Sequence, residues 1–480
     1  MKPILSTMAF ASSVSATSCC SLLSHALSTL VSYPGQTDYN LTASSYWSLQ
    51  ESEIKPACIV HPSNSHHVAQ GLAVIFSVDG CEFAIKGQGH NPNAGSANIP
   101  GGVLIDMTNL SLVELSNDKS KVAVGAGASW LKVYQALDSS GVSVAGGRNG
   151  LVGVGGLLLG GGISHFSARV GWACDNVVNY EVVLANGSLV NANLKSHPDL
   201  YRALKGGTNN FGIVTRFDLD TFSQGNISST VIRNEISQRS AVFKAFTDIT
   251  SAANFDTYTS LVTGLLYNST SRLWSLSSTA VYTKPDPSPL VFAGLSAIPS
   301  ISNATSITSL ASLANEHATP PLNWLFATAS FKPSTQLMTE IFDTLNSTLY
   351  SFNPEGGVVW SVAFEPLAGS LLTSSRTNGG NVLGVSPADK GFVLLISALW
   401  PKDSSRKAVD EIAHRTLSLV QAKAQSKGLL LGFEYLNYAA AYQHPLKSYG
   451  EANLHFLKGV AKKYDPESVF QKRVPGGFKL

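Results

Sequence analysis

The chain has 480 residues, 44% of them hydrophobic. Single hydrophobic cores stop growing near ~250–300 residues, so two lobes are expected. Lys+Arg 33 against Asp+Glu 31 leaves a net charge of +2, too balanced for a nucleic acid or an anionic membrane to be the partner. Charged residues make up only 13%, about half the usual ~25%, and Ser, Thr and Asn fill the difference, a mix suited to an extracellular or lumenal surface.

In chain order, residues 1–16 read as a signal peptide. Lys2 supplies the positive end, Ile4 to Ala11 a short apolar stretch, and Val14-Ser15-Ala16 a small-residue cleavage pattern. The expected location is therefore outside the cell or in the secretory lumen. Asn40, Asn109, Asn186, Asn226, Asn268, Asn303 and Asn346 each head an Asn-x-Ser/Thr sequon and are candidate glycosylation sites. No apolar run approaches the ~20 residues that crossing a bilayer requires. Residues 17–53 form an N-terminal arm. Cys19, Cys20, Cys58 and Cys81 can form two bridges that tie this arm down, with the pairing open, and Cys174 is left as a buried, inert thiol.

Residues 54–225 alternate short Val/Ile/Leu runs with Gly, Asn and Pro, the sign of many short strands with a few helices between them. Val68 to Phe76 reads as a helix after Ser63-Asn64, and Phe83 to Lys86 as a strand. Trp130, Val133, Tyr134 and Leu137 recur at helical spacing after Ser129, with Gly141 to close the helix. Residues 226–430 are poorer in glycine and carry alternating strands at Gly357 to Phe364 and Phe392 to Leu399. A helix over Arg406 to Lys427 completes a second lobe built on an antiparallel sheet. Residues 431–480 return to the aromatic and Asn-rich texture of the first lobe.

The glycines cluster between Gly87 and Gly212, where nucleotide-binding motifs can be tested. Gly153-Val154-Gly155-Gly156-Leu157-Leu158 lacks the third glycine of G-x-G-x-x-G, no Gly-Lys dipeptide exists for a Walker A loop, and G-x-S-x-G occurs only as near misses. His66-His67 lacks metal-ligand spacing. Two segments survive. In Lys86-Gly87-Gln88-Gly89-His90-Asn91, continuing to Gly95-Ser96, close glycines can turn successive N–H groups toward a diphosphate. The second runs from Gly146-Gly147-Arg148 through Gly153 to Gly162, where missing Cβ atoms let backbone lie against something flat. A planar cofactor with a diphosphate linker suits both.

Together with Pro56 to Pro62, Gly101 to Met107, Gly171 to Asn176, Leu204 to Gly207, Asn210-Phe211-Gly212 and Tyr435-Leu436-Asn437-Tyr438, these segments resemble the vanillyl-alcohol-oxidase (PCMH-type) FAD-binding domain. Within it they resemble the berberine-bridge-enzyme-like oxidases of fungal secondary metabolism. The resemblance implies an α+β fold, an FAD domain of two small subdomains built from both ends of the chain, and an antiparallel substrate lobe. It implies that Lys86, Gly87, Gln88, Gly89, His90, Asn91, Gly95, Ser96, Gly153, Gly156, Gly161, Gly171, Val182, Tyr435 and Asn437 bind FAD, with His90 as the 8α attachment point. Asn149 stands where many relatives carry a second, cysteinyl link, so one tether at most is expected.

The implied reaction passes a hydride from a small-molecule substrate to the flavin while a base takes a proton, and O2 then reoxidises the flavin to give H2O2; no metal is needed. The family's base-bearing tyrosine maps onto Tyr438, with Glu365 next in line. A phenol near pKa ~10 is a poor base without a cation or hydrogen bond, and sequence names no such partner. The single tether points to a natural-product intermediate, with a secreted carbohydrate oxidase or a cyclisation on the same scaffold as alternatives. The protein is expected to be a monomer.

Overall fold

A computed structural model describes residues 18–315, 321–374 and 378–480; the signal peptide expected over 1–16 lies outside them. Near the start, Cys58–Val60, Val103–Asp106 and Phe83–Lys86 pair in parallel, with Val31–Ser32 antiparallel at the edge. Cys58–Val60 and Val103–Asp106 are buried throughout, which is why they read as unbroken apolar runs. The crossover between Val60 and Phe83 is the helix Ser65–Ser77. Asn64 caps it by accepting the His67 N–H at 3.0 Å, and Val68, Leu72 and Ile75 form its buried side.

A helix over residues 18–27 lies on this sheet, held by Cys19–Cys81 and Cys20–Cys58. The structure thus decides the pairing that spacing left open. Cys174 is free and buried, and burial pushes its thiol well up.

The second subdomain is a five-stranded antiparallel sheet in the order Val113–Leu115, Lys121–Gly125, Ile213–Asp220, Val177–Val183, Leu189–Ala192. Its helix Trp130–Leu137 begins at Ser129, whose Oγ accepts from Lys132 N, and after one further turn Gly141 stops it at φ +69°. The chain's end closes this half of the molecule. Arg473 O accepts from Phe83 N at 2.8 Å, and Asn210 Nδ2 donates to Phe478 O at 3.0 Å.

The second lobe is an eight-stranded antiparallel sheet. Its order is Ser302–Thr308, Ile227–Asn234, Leu273–Tyr282, Thr259–Asn268, Val359–Leu367, Gly391–Trp400, Asn323–Phe331, Leu430–Leu431. Helices Arg239–Ser251, Thr335–Leu349 and Arg406–Ser426 share its apolar core. Strand alternation sends Leu325 and Ala327 into that core and leaves Trp324 and Phe326, half-buried, on the side of the FAD domain.

No helix among the described residues is long and apolar enough to cross a membrane. Asn40, Asn109, Asn186, Asn226 and Asn303 are exposed, while Asn268 and Asn346 are half-buried and Asn346 Oδ1 accepts from Trp274 Nε1.

The two bridges span separations of 62 and 38 residues. Replacing Cys20 and Cys58 together by Ala should lower unfolding free energy by about 2–4 kcal/mol in urea titration. Non-reducing peptide mapping should return Cys19 with Cys81 and Cys20 with Cys58.

Candidate active site

The loop after Phe83–Lys86 carries the first set of expected cofactor residues. Lys86 turns inward, with Nζ 3.6 Å from Asp106 Oδ1 and above the Tyr46 ring. The point charge expected to face a diphosphate is therefore already matched inside the subdomain. Gly89 has φ +65°, and a Cβ there would stand 2.7 Å from Tyr46 Cδ1, so only glycine lets the chain turn over this ring. Further on, Asn91 Oδ1 accepts from Asn93 N, and Ser96 N donates to Asn93 O. Gly95 N and Ala97 N donate to the buried Glu51 carboxylate at 3.0 and 2.8 Å. Burial pushes Glu51 up to about 7 against those bonds.

Among the described residues, the N–H groups of Gln88, Gly89 and His90 donate to no protein acceptor, and His90 Nε2 is buried without a hydrogen bond. Gly153 packs on this stretch, where a Cβ would stand 3.0 Å from Gln88 N; Gly156 is exposed, with open space where its Cβ would be. Uncommitted donors facing backbone without side chains fit a dinucleotide diphosphate. An orphaned imidazole nitrogen fits a partner that the protein does not supply. Burial lowers His90 to about 4, so the ring is neutral at working pH.

Other expected residues are structural in their contacts. Val182 Cγ1 lies against Gly212 in the five-stranded sheet, and Gly171 turns the chain at φ +85° beside the Asp175 carboxylate. Gly161, at φ +108°, lies against Leu383 and Trp172. Tyr435 is buried on Trp172, and its hydroxyl accepts from Ile163 N at 2.9 Å and Asn437 Nδ2 at 3.1 Å. Asn437 also donates to Leu157 O, and a Cβ on Gly160 would collide with its amide.

Tyr438 lies elsewhere in character. Arg148 Nη2 reaches both Glu365 oxygens at 2.8 Å and the Tyr438 hydroxyl at 2.6 Å, while that hydroxyl donates to Glu365 Oε1 at 3.0 Å. Each partner comes from a different part of the chain. Gly146 and Gly147 lie flat on the Trp130 ring and so deliver Arg148, the strand Val359–Leu367 carries Glu365, and the C-terminal segment carries Tyr438. Burial pushes the phenol well above its ordinary value, Arg148 works against this, and Glu365 adds to it. The guanidinium is pulled down by burial but held above its usual value by Glu365 and Tyr438. Nearby, His165 Nδ1 is 3.0 Å from Ser260 Oγ, and burial with the Arg148 charge lowers its ring to about 3.

Aromatic rings connect this cluster to His90. Trp47 of the arm stacks on the His90 ring at 4.3 Å and on Trp324 at 3.9 Å; Phe326 follows at 5.5 Å from Trp47, with Tyr438 6.1 Å beyond.

A family model described as an FAD binding domain matches residues 56–193. Over 463 residues the chain is 39% identical to the FAD-dependent monooxygenase tpcD of Cochliobolus heterostrophus, covering 93% of this chain and 89% of that one. It is 36% identical over 458 residues to the FAD-dependent monooxygenase FUP4 of Fusarium proliferatum, at 91% and 87% coverage. Its fold matches the berberine bridge enzyme of Eschscholzia californica with TM-score 0.75 at 14% identity, covering 95% and 99%. A wild-type BBE-like protein of Physcomitrella patens gives TM-score 0.78 at 20% identity, covering 95% and 98%. The chain belongs with these fungal FAD-dependent oxidoreductases and has the fold of the berberine bridge enzyme. In this oxidoreductase the two glycine segments would hold FAD, which would supply the two-electron acceptor. Gln88, Gly89 and His90 would hold it from one side and Gly153 and Gly156 from the other.

Sequence reading assigned no role to Arg148, Trp47, Trp324 or Glu51. Arg148 carried the one usable signal, a lone cation beside two glycines in a cofactor segment. The others are marked only by contacts between distant parts of the chain. Arg148→Met should cost about 3–5 kcal/mol of stability by urea titration, because it leaves a buried carboxylate without its cation. Adding Glu365→Leu should recover part of the loss.

Proposed function

We propose that this oxidoreductase is an oxidase of a small natural-product intermediate, tethering FAD once through His90 and using Tyr438 with Glu365 as its proton-accepting pair. One observation carries the reading: a half-buried phenol donates a hydrogen bond to a buried carboxylate while a guanidinium touches both. A free phenolate is costly in this setting, since burial drives Tyr438 upward. The phenol can still accept a substrate proton if its own proton passes along the 3.0 Å hydrogen bond to Glu365 at the same time. Glu365 becomes neutral in this step, and the negative charge would leave with the substrate's hydride while Arg148 stays cationic. FAD, when bound, would supply the acceptor for the substrate's hydride, with O2 as the final two-electron acceptor.

Phe326 stands edge-on to Tyr438 at 6.1 Å, an apolar neighbour that suits a ring-bearing substrate in preference to an extended polar one. Asn149 leaves the second tether without a sulfur. In the same reading the protein is a secreted monomer that loses residues 1–16 and carries glycans on its five exposed sequons.

A second reading draws on the relatives named monooxygenases. There the reduced flavin and O2 would place one oxygen atom in the product. Isotopically labelled O2 separates the two: label in H2O2 alone marks the oxidase, and label in the product marks the monooxygenase. Product formed without O2 or flavin reduction marks a cyclase.

Tyr438→Phe and Glu365→Gln should each slow anaerobic flavin reduction by ~10²–10⁴-fold with bound flavin retained. Rates within a few-fold of wild type would move the proton to another group. Acid precipitation should leave flavin in the wild-type pellet and none in that of His90→Ala. Because burial lowers His90 to about 4, attachment should proceed at a nearly constant rate from pH 5.5 to 8, with no fall near ~6.5, where a free imidazole gains its proton.

A further inference from the structure

The arm segment Tyr46 to Gln50 touches both lobes at once. On the FAD side, Trp47 N donates to Gly89 O at 3.1 Å, and Tyr46 fills the space under Gly89 that a side chain would need. On the substrate side, Leu49 N donates to Leu322 O at 2.9 Å, and Trp324 N donates to Gln50 Oε1 at 3.1 Å. The Gln50 amide returns a bond to Trp324 O. Between these anchors the Trp47 indole lies nearly parallel to the His90 imidazole, 15° between planes, and its neighbour Trp324 stacks on it in turn.

A loop imidazole flanked by Gly89 has a free rotation about its side-chain bonds unless something holds its face. Here one face is covered by a ring that is itself fixed at both ends. Stacking on one face fixes the ring plane and so the direction in which the in-plane nitrogen lone pair points. No protein hydrogen bond holds the ring at Nε2.

We infer that Trp47 is a positioning residue for flavin attachment: the arm holds its indole against His90 so that the imidazole meets the flavin 8α carbon edge-on. This inference rests on the single-tether reading above. In the attachment, an imidazole nitrogen bonds to the 8α carbon, one 8α C–H proton and the imidazole N–H proton leave, and the flavin takes up two electrons. O2 then carries those electrons away as H2O2, restoring the oxidised cofactor. Trp47 makes and breaks no bond. It limits the orientations that the nucleophile samples, the kind of constraint that effective-molarity arguments describe.

The test adds FAD to flavin-free full-length protein and follows acid-stable flavin with time, alongside total bound flavin and thermal midpoint. Trp47→Leu keeps most of the volume and removes the flat face. Its attachment rate should fall at least ~10-fold, with non-covalent FAD still bound. Trp47→Phe restores a ring and should attach within a few-fold of wild type. Trp324→Leu removes support from behind Trp47 and should give an intermediate rate. Attachment by Trp47→Leu at the wild-type rate would overturn the inference, as would an equal defect in Trp47→Phe and Trp47→Leu at unchanged thermal midpoint. Absence of acid-stable flavin in wild type would instead overturn the tether through His90.

Discussion

A buried carboxylate needs a cation beside it, and that requirement governs how this molecule closes. Arg148 meets Glu365 across a sequence separation of 217 residues and Tyr438 across 290. Desolvating a guanidinium and a carboxylate separately would cost several kcal/mol each, so the two lobes gain most when both ions arrive together. The C-terminal segment must also return, because Tyr438 supplies the third oxygen around Nη2. The same contact that joins the lobes thus assembles one polar group from three distant parts of the chain.

Packing on the FAD side serves that closure. Trp130, anchored in its helix, lies under Gly146 and Gly147, and Tyr134 holds Gly147 O at 2.7 Å, so the backbone that carries Arg148 has little freedom. On the opposite wall the eight-stranded sheet is stiffened by helices on its far face, and its near face presents Glu365, Trp324 and Phe326. The disulfide-tied arm bridges the two. A rigid scaffold around a small polar cluster is the arrangement that preorganised chemistry favours, since little reorganisation remains for the reacting step.

Electrostatics explains why a tyrosine is useful here at all. A lone phenol in this cavity would stay protonated, and Glu365 makes ionisation harder still. Yet the same carboxylate is a hydrogen-bond acceptor for the phenol, which turns a poor base into a conduit. His90 shows the complementary logic. Burial removes its charge, leaving a neutral ring for which no counter-ion has to be provided.

The sequence alone determined much of this. Spacing placed the helix at Trp130–Leu137 and the strand at Phe83–Lys86, because apolar period and capping residues are local properties. An antiparallel second lobe was legible in strand alternation, and motif order singled out the glycine loops, His90 and Tyr438 as candidates for flavin chemistry. Lys86 seemed free to face a diphosphate until Asp106, twenty residues on in sequence, came beside it on the neighbouring strand. Likewise Glu51 occupies the Gly95 and Ala97 N–H groups, and Trp47 covers His90, from an arm with no motif of its own. Arg148, Glu365 and Tyr438 became one group only through tertiary structure. Local pattern records what a segment can form; which charges and rings end up adjacent is decided by burial, which sums over the whole chain.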